Sequence, residues 1–546
     1  MKFVFVVIFF FLSVSVFSQH TNLFLGESYS LDINKVLYTQ DVDKHTSFKP
    51  ILKSNLGFDP DSVIISFYNN TFKNWYKRKI FSDHLIILEG DDYRVIASPI
   101  ISLFKGKELI EAKNTFINTR GYLIEGDLGK KISFSTSFFE NQAIFANYLD
   151  TYVRRTKVVP GQGYARDFKQ TGFDYAMSSG YVTYRPNKMF AIQFGHGKHF
   201  IGDGYRSLLL SDNTFNYPYL KIQTSFWKLQ YTNLYTELMD INYLATNGLT
   251  DADQIGYPKK YMSSHLLSLN VNKSLSFALF ESVIWRMNHA PGNRGFDINY
   301  LNPIVMLRPI EFSLNSPDNV LVGVNAKYSF NSSYTYGQLV LDEFSLTDLR
   351  SNKGFWANKI GYQLGYKVFD PFNMNRLTLQ TEFNYVRPYT YAHHNPQQNY
   401  AHYNQPLAHP LGANFSELLF MANYSWKRFE INAKIIFAKY GGDFKGDSIS
   451  YGSNLYFSTG DYADEEGLVG ISSGRPSDYG IEMYQGNLTT VEYKSLNISY
   501  ILNPYTNLKL NLGVTLRNSQ NDEDSIQTQF IHFGIISNLF NHYYDI

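Results

Sequence analysis

Residues 360–385 read IGYQLGYKVF, DPFNMNR and LTLQTEFNY, which are two alternating segments on either side of a turn-rich link. Nearly every second position is apolar: Ile360, Tyr362, Leu364, Tyr366 and Val368, then Leu377, Leu379, Thr381, Phe383 and Tyr385. The positions between them are small or polar. Because successive side chains of a strand point to opposite faces, this stretch predicts a β-hairpin with one apolar and one polar face.

The same pattern recurs along most of the chain. Leu496 to Leu502 and Leu508 to Leu516 alternate around the link at 503–507, and from about Tyr93 the alternating segments are roughly eight to twelve residues long, close to the length of a membrane-spanning strand. A soluble β-sandwich would also alternate. The period alone therefore leaves two fold classes open.

The lengths of the connections favour one of them. Short links alternate with long polar ones, of which the longest is 440–486; the short links lie near 128–131, 185–188, 227–228, 272–274, 331–333, 370–376, 427–428 and 503–507. Short turns on one side and long loops on the other are typical of outer-membrane barrels. The sequence predicts an all-β, transmembrane, antiparallel barrel of about 18 strands, within the known range.

The N-terminal part has a different texture. Residues 1–19 contain Lys2 and then an apolar run, which predicts a cleaved export signal. Residues 20–90 predict a small periplasmic region, α/β or helical, with a short amphipathic helix within 71–85. Residues 91–546 are predicted to form the barrel, located in the outer membrane.

Composition narrows the function. Aromatic residues make up 17% of the 546 residues, and such residues fill the lipid face and the interfacial girdles of a barrel. The absence of cysteine excludes disulfides, zinc-thiolate sites and thiol nucleophiles. A formal net charge of +1 gives no overall field for nucleic acid, and none is expected as a partner.

The stretch 190–213, FAIQFGHGKHFIGDGYRSLLLSDN, concentrates candidate binding residues. It matches neither glycine-rich phosphate-loop motif. Phe190, Ile192 and Phe194 are predicted to face lipid, after which the chain reaches the extracellular mouth. There we expect polar-ligand contacts from His196, Lys198, His199, Asp203 and Arg206; glycine-permitted loop packing is the competing interpretation.

A second loop, 288–319, interleaves charges with aromatic residues and prolines. Arg308, Glu311 and Asp318 are its candidate ligand contacts, and structural salt bridges are the other interpretation. Glu281 shares the parity of apolar Phe277 and Leu279, which suggests a bulge. Lumen-side Gln338, Asp342, Lys367 and Glu382 are predicted to fill the barrel with hydrogen-bond networks.

No catalytic or metal site and no cofactor is predicted. His393, His394, His402 and His409 lack the rigid spacing of a metal site, and a loop rich in aromatic and amide side chains also suits a sugar-binding surface. GISSG at 470–474 matches the nucleophile-elbow motif literally, but it lies in a predicted external loop, so we interpret it as a chance match.

Three stretches together resemble the Wzi-type capsule-assembly outer-membrane proteins, in particular their gliding-motility branch: FGHGKHFIGDGYRSLLLSDN at 194–213, LNPIVMLRPIEFSLNSPDNVLVG at 301–323 and NLFNHYYDI at 538–546. The resemblance covers most of the chain from about His45, where HTSFKP also fits. It implies an 18-stranded barrel with a small periplasmic part that attaches capsule and is not an enzyme.

Three functional hypotheses follow. The first is a non-enzymatic outer-membrane barrel that binds or organises surface polysaccharide, or motility and adhesin proteins, at its extracellular mouth. The second is a porin or substrate-specific channel, since a barrel of this size can hold an aqueous pore. The third, an outer-membrane hydrolase, depends on Ser472 alone.

Overall fold

A computed structural model describes residues 20–39, 44–68, 72–241, 256–289, 292–293, 295–303, 307–314, 318–447, 449–457 and 474–546. Its dominant element is a closed antiparallel barrel of 18 strands. The strands are β1 (Tyr93–Glu108), β2 (Asn114–Leu128), β3 (Ile132–Ile144), β4 (Gly172–Tyr184), β5 (Phe190–Gly197), β6 (Tyr217–Phe226), β7 (Leu229–Met239), β8 (Lys259–Asn270), β9 (Leu275–Arg286), β10 (Asn319–Phe330), β11 (Ser333–Leu341), β12 (Ile360–Phe369), β13 (Leu377–Val386), β14 (Phe415–Trp426), β15 (Phe429–Gly442), β16 (Asn487–Asn503), β17 (Leu508–Gln520) and β18 (Ser525–Ser537).

Each strand pairs with the next one along the chain, and β18 pairs with β1 to close the barrel, with Phe530 opposite Glu108 and Ile536 opposite Ser102. Closure pairs the backbone groups that an open sheet edge would leave exposed, which hydrocarbon requires. The predicted fold class and strand number are confirmed.

Helices and short strands occur before the first barrel strand and in the links between the barrel strands. The α-helices are α1 (Glu27–Thr39), α2 (Pro60–Ser66), α3 (Trp75–Phe81), α4 (Asn147–Thr156), α5 (Arg308–Leu314) and α6 (Leu346–Ser351); 3-10 turns occupy Lys53–Asn55, Ile298–Leu301, Pro371–Asn373 and Pro396–Gln398. The short strands are Phe48–Lys49 with Phe200–Ile201, Asn288–His289 with Gly292–Asn293, Ala401–His402 with Gln405–Pro406, Ile86–Glu89 beside β1, and Arg166–Phe168 beside β4. Among the residues that the structure describes, no helix is long and apolar enough to cross a bilayer.

The connections have the predicted asymmetry. All eight predicted short links are turns on one side of the barrel, here called the short-turn side, and the long links lie on the opposite, long-loop side. The longest link runs from the end of β15 at Gly442 to the start of β16 at Asn487. By the rule for such barrels the long-loop side faces outward from the cell.

In the hairpin at 360–385, which forms β12 and β13, the side chains alternate between the lipid-facing side and the lumen, as predicted. Leu364 on β12 is exposed toward the lipid, whereas Gln363 and Lys367 are buried in the lumen. Phe194 on β5 is likewise exposed and Gln193 is buried. An apolar outer face and a polar interior therefore follow from the two-residue period of the strands.

Glu281 on β9 needs no bulge, because the pairing of β9 with β8 and β10 runs without a register shift. Its side chain does face outward, with the parity of Leu279, and it is nevertheless buried. The backbone N–H of Leu307 donates to Glu281 Oε2 at 2.6 Å, and Leu307 packs with Trp285 and Tyr300 on the outer wall. The long link between β9 and β10 thus covers this carboxylate.

Helix α1, in the N-terminal region, packs against residues inside the lumen. Tyr38 of α1 stacks on Tyr334 of β11 with ring centroids 4.3 Å apart. Arg376, in the turn after β12, donates to Asp32 at 2.7 Å, and Lys35 pairs with Asp370 of the same turn.

A helix with an apolar side and a charged side fits this environment, since the lumen offers both kinds of partner. The boundaries at residues 19 and 90 and the periplasmic side stay predictions. The amphipathic helix expected within 71–85 is present as the shorter α3.

Candidate functional site in the barrel lumen

The link between β5 and β6, residues 198–216, folds into the lumen. The sequence places this loop at the extracellular mouth; in the structure Leu208, Leu209 and Leu210 are fully buried in the largest apolar cluster. Glycine permits the close approach: a Cβ on Gly204 would lie 2.3 Å from Glu382 Oε2, and Gly202 has a φ of 140°. These glycines allow the loop to pack tightly against the barrel wall.

Asp203 is a buried junction within this loop. Its Oδ1 accepts hydrogen bonds from Tyr38 at 3.0 Å and Thr46 at 2.6 Å, and its Oδ2 accepts one from Asn325 at 2.9 Å. Burial alone would raise the pKa of Asp203, but the charge of Lys327, with further help from Lys49 and these hydrogen bonds, holds it below its ordinary value. Asp203 therefore connects α1, the following N-terminal segment and β10.

Arg206 forms the second junction. Its guanidinium donates to Glu417 of β14 at 3.1 and 3.3 Å, and to Asp545 of the C-terminal segment at 3.3 Å. Glu382 accepts the backbone N–H of Tyr205 at 2.8 Å and that of Arg206 at 3.1 Å. These contacts fix the loop on the barrel wall.

The electrostatics of this junction are balanced. Burial alone would raise the pKa of Asp545, but Arg206 and then Lys434 outweigh burial and hold it well below the ordinary value. Asp545 is therefore charged, and it is bonded from both sides.

The remaining candidate residues of the loop also make contacts within the protein. Lys198 donates to the carbonyl oxygens of Gly161 and Asp212. His199 is buried against Tyr217 and Tyr219, and burial, followed by the nearby charge of Lys221, lowers its pKa well below the ordinary value. His196 is less buried, and its Nδ1 atom lies 3.1 Å from the carbonyl oxygen of Ser178.

The candidates of the second loop lie elsewhere. Asp318 accepts hydrogen bonds from Tyr300 at 2.5 Å and Gln398 at 3.2 Å, apart from the Asp203 and Arg206 junctions. Arg308 and Glu311 belong to α5, and their side chains lie outside the described part of the chain. The six candidate residues whose side chains are described therefore lie in separate contacts, and the binding role of all eight stays a prediction.

The histidine-rich link 387–414 packs against the link 198–216 on the long-loop side of the lumen. Tyr391 and Tyr400 donate to the carbonyl oxygens of Leu208 and Leu209 at 2.7 and 2.6 Å. His409 pairs with Glu417 at 2.9 Å, whereas His402 accepts the N–H of Met239. The described residues contain no group of three or more side chains that could hold a metal ion. Residues 470–473 of the GISSG motif lie outside the described residues.

The described part of the lumen contains a sizeable space, which we call the asparagine cavity. It has a volume of about 310 Å³ and lies between β14–β18, β1–β3 and the C-terminal segment 538–546. Its polar lining consists of Asn423, Asn432, Lys434, Tyr493, Ser495, Asn497, Ser499, Lys509, Asn511, Thr515 and His532, among other residues.

The charges in the asparagine cavity are neutralised. Lys434 pairs with Asp545 at 2.7 Å, and Lys509 pairs with Glu430. The buried amide nitrogen of Asn423 has no hydrogen-bond partner among the described residues. The cavity thus offers amides and hydroxyls beside apolar side chains, which suits an uncharged molecule with both polar and apolar parts. Sequence analysis missed it, although the Asn and Ser positions on the polar faces of β16 and β17 are a visible signal.

The long-loop face carries an aromatic group, here called the mouth aromatics and defined as Phe355 and Tyr479. They come from two different long links, and their ring centroids are 5.3 Å apart. Tyr479 is 46% exposed and its hydroxyl donates to Asp348. An exposed ring such as that of Tyr479, packed against the partly buried Phe355, can stack on the apolar face of a sugar.

No protein-family model matches the chain, and no curated protein matches it in sequence. Its structure is similar to that of Wzi, described as an outer-membrane protein involved in group 1 capsule assembly in Escherichia coli and as a carbohydrate-binding β-barrel. The TM-score is 0.53 at 12% identity, covering 94% of this chain and 99% of Wzi.

The structure is less similar to OccAB2 of Acinetobacter baumannii, with a TM-score of 0.42 at 9% identity, covering 82% of this chain and 98% of OccAB2. For OprD of Pseudomonas aeruginosa the TM-score is 0.40 at 10% identity, covering 84% of this chain and 96% of OprD. No family or sequence match supports the gliding-motility branch. At this identity the likeness shows the fold alone: the chain is a closed, 18-stranded, antiparallel barrel of the outer-membrane type.

Proposed function

We propose that this chain is a non-enzymatic outer-membrane barrel that attaches or organises surface polysaccharide at its long-loop face. The observation that carries the proposal is the filled lumen. Buried side chains in the lumen come from four parts of the chain: residues 20–39 and 44–58, the link 198–216, the link 387–414 and the C-terminal segment 538–546. A barrel filled in this way is suited to holding a ligand at its rim.

The mouth aromatics and the likeness to a carbohydrate-binding barrel give the proposal its ligand class. Ring stacking supplies apolar contact, and the amide and hydroxyl groups of the long loops supply hydrogen bonds. No covalent step is involved, and no cofactor is required. The polysaccharide is the partner on the outer side, and membrane lipid is the partner around the barrel.

Replacing Phe355 and Tyr479 together by alanine tests this function. We expect the purified full chain to bind polysaccharide extracted from the surface of the producing cells, and the double variant to bind about fivefold more weakly, since an aromatic contact contributes on the order of 1 kcal/mol. Binding is measured by surface-based titration.

The matched control is Trp227→Ala, which removes an exposed ring on the short-turn side and is expected to leave binding unchanged. Absence of binding by the unaltered chain would contradict the proposal, and so would equal binding by the double variant. Loss of surface spreading with full capsule retention in cells lacking the chain would favour the motility and adhesin role over the capsule role.

A substrate-specific channel is the second candidate, and the asparagine cavity favours it. A lining that combines amides and hydroxyls with apolar side chains is an arrangement from which a narrow path for polar molecules could open. Electrical conductance distinguishes the two functions, because a filled barrel passes no ion current.

A further inference from the structure

Residues 73–80, which we call the basic-aromatic segment, leave large side chains uncovered. Trp75 is 53% exposed, Tyr76 71% and Ile80 52%, and α3 contains no buried residue. Three large apolar or aromatic side chains on one short helix are a costly arrangement in water. We therefore expect these side chains to be covered by a surface that is absent from the isolated chain.

The barrel fixes where this segment lies. The side-chain amide of Asn503, at the end of β16, donates to the carbonyl oxygen of Asp83 at 2.9 Å. The ring of His84 packs edge-on against the ring of Tyr505, with ring centroids 5.4 Å apart. Tyr505 lies in the turn between β16 and β17. The end of α3 is thus held at the rim of the short-turn side.

The segment is also continuous with the lipid-facing wall. The strand Ile86–Glu89 pairs with β1, and Ile86 and Leu88 stand opposite Ala97 and Val95. Directly opposed residues share a face, and on β1 this is the outward face that also carries exposed Leu103. Ile86 and Leu88 are exposed in the same way, so lipid-facing wall begins only a few residues after α3.

Aromatic side chains mark the membrane boundary at this end of the barrel. Exposed Trp426, Phe429 and Tyr500 lie on β14, β15 and β16 near their short-turn ends. Trp and Tyr are enriched where hydrocarbon meets water. Trp75 and Tyr76 lie beside the same rim.

The charge of the segment indicates what it meets. Lys73, Lys77, Arg78 and Lys79 are all basic, and no acidic residue occurs between 73 and 82. Asp83 forms ion pairs with Arg78 and Lys79, with nitrogen–oxygen distances of 3.5 and 3.0 Å. Lys73 and Lys77 are exposed, and neither forms an ion pair within the described part of the chain. Basic side chains next to Trp and Tyr on a short helix are typical of a segment lying in the interface of an anionic membrane.

We propose that the basic-aromatic segment is an interfacial anchor that binds the anionic headgroups of phospholipids in the short-turn-side leaflet. Lys73 and Lys77 contact the phosphates, while Trp75, Tyr76 and Ile80 lie at the boundary with the acyl chains. The anchor ties the segment that follows α1 and α2 to the membrane. It is independent of what the long-loop face binds.

A single label tests the anchor directly, because the chain contains no cysteine. A Tyr76→Cys variant of the full chain carries an environment-sensitive fluorophore and is reconstituted into vesicles of phosphatidylcholine, with or without phosphatidylglycerol. We expect blue-shifted emission and roughly twofold stronger quenching by nitroxide-labelled acyl chains in the anionic vesicles. The difference should shrink at high salt, which screens exposed charges.

Charge variants supply the controls. Lys73→Gln with Lys77→Gln should abolish the dependence on phosphatidylglycerol, whereas Lys130→Gln with Lys188→Gln, two exposed lysines in other short-turn-side links, should preserve it. A second readout without a label compares acyl-chain quenching of tryptophan fluorescence in the unaltered chain and in Trp75→Phe. A label that stays water-exposed in both vesicles overturns the proposal, as does one that responds equally to both.

Discussion

Replacing Arg206 by methionine is expected to lower the free energy of unfolding of the barrel by about 3 kcal/mol, because it leaves two buried carboxylates without their shared cation. The side chains of Arg206, Glu417 and Asp545 are 1%, 2% and 3% exposed. The loss falls at the low end for a broken buried pair, since Lys434 still reaches Asp545 and His409 still reaches Glu417. The midpoint of urea unfolding in detergent micelles measures it.

The matched control is the exposed pair of Lys445 and Asp524, whose side chains are 70% and 49% exposed. Lys445→Met should leave the unfolding midpoint unchanged, because solvent screens such a pair. Adding Glu417→Gln to Arg206→Met should recover part of the lost stability by removing one of the stranded charges. Equal midpoints for Arg206→Met and the unaltered chain would show that the junction does not hold the loop.

Removing residues 20–58 is expected to turn a silent barrel into a conducting one. This segment supplies Tyr29, Ile33, Leu37 and Tyr38 to an apolar cluster in the lumen. Its loss opens space beside the asparagine cavity, so that water and ions can pass along β14–β18. Current through a planar lipid bilayer measures the effect, and stepwise openings are the expected result.

A control deletion separates loss of the lumen filling from general damage. Helix α6 has no buried residue and lies on the long-loop side, so exchanging Leu346–Ser351 for a flexible linker should leave the barrel silent. If the variant lacking 20–58 stays as silent as the unaltered chain, the links 198–216 and 387–414 close the lumen by themselves.

The barrel wall was predictable because its information is local. The alternation in 360–385 specifies two strands, their faces and the turn between them without reference to any other part of the chain. The outward parity of Glu281 was also read correctly. Its explanation was wrong, because the covering residue, Leu307, comes from the far end of a long link.

The lumen was not predictable in this way. Arg206 and Asp545 are 339 residues apart, and neither side of that contact carries a periodic signal. The run of three leucines at 208–210 does not continue the strand pattern, and this was an available hint that the loop is buried and not at the mouth. In α1 the apolar residues Tyr29, Ile33 and Leu37 recur every four positions, a helical spacing within a region that otherwise shows no period.

The conductance of the complete, unaltered barrel in a planar lipid bilayer tests most directly the claim that this chain works at its long-loop face and not through its lumen. With residues 20–58 and the links 198–216 and 387–414 in place, we expect no discrete openings at any applied voltage that the bilayer tolerates. Regular, stepwise openings of the unaltered chain would contradict the account and assign the asparagine cavity to a transport path.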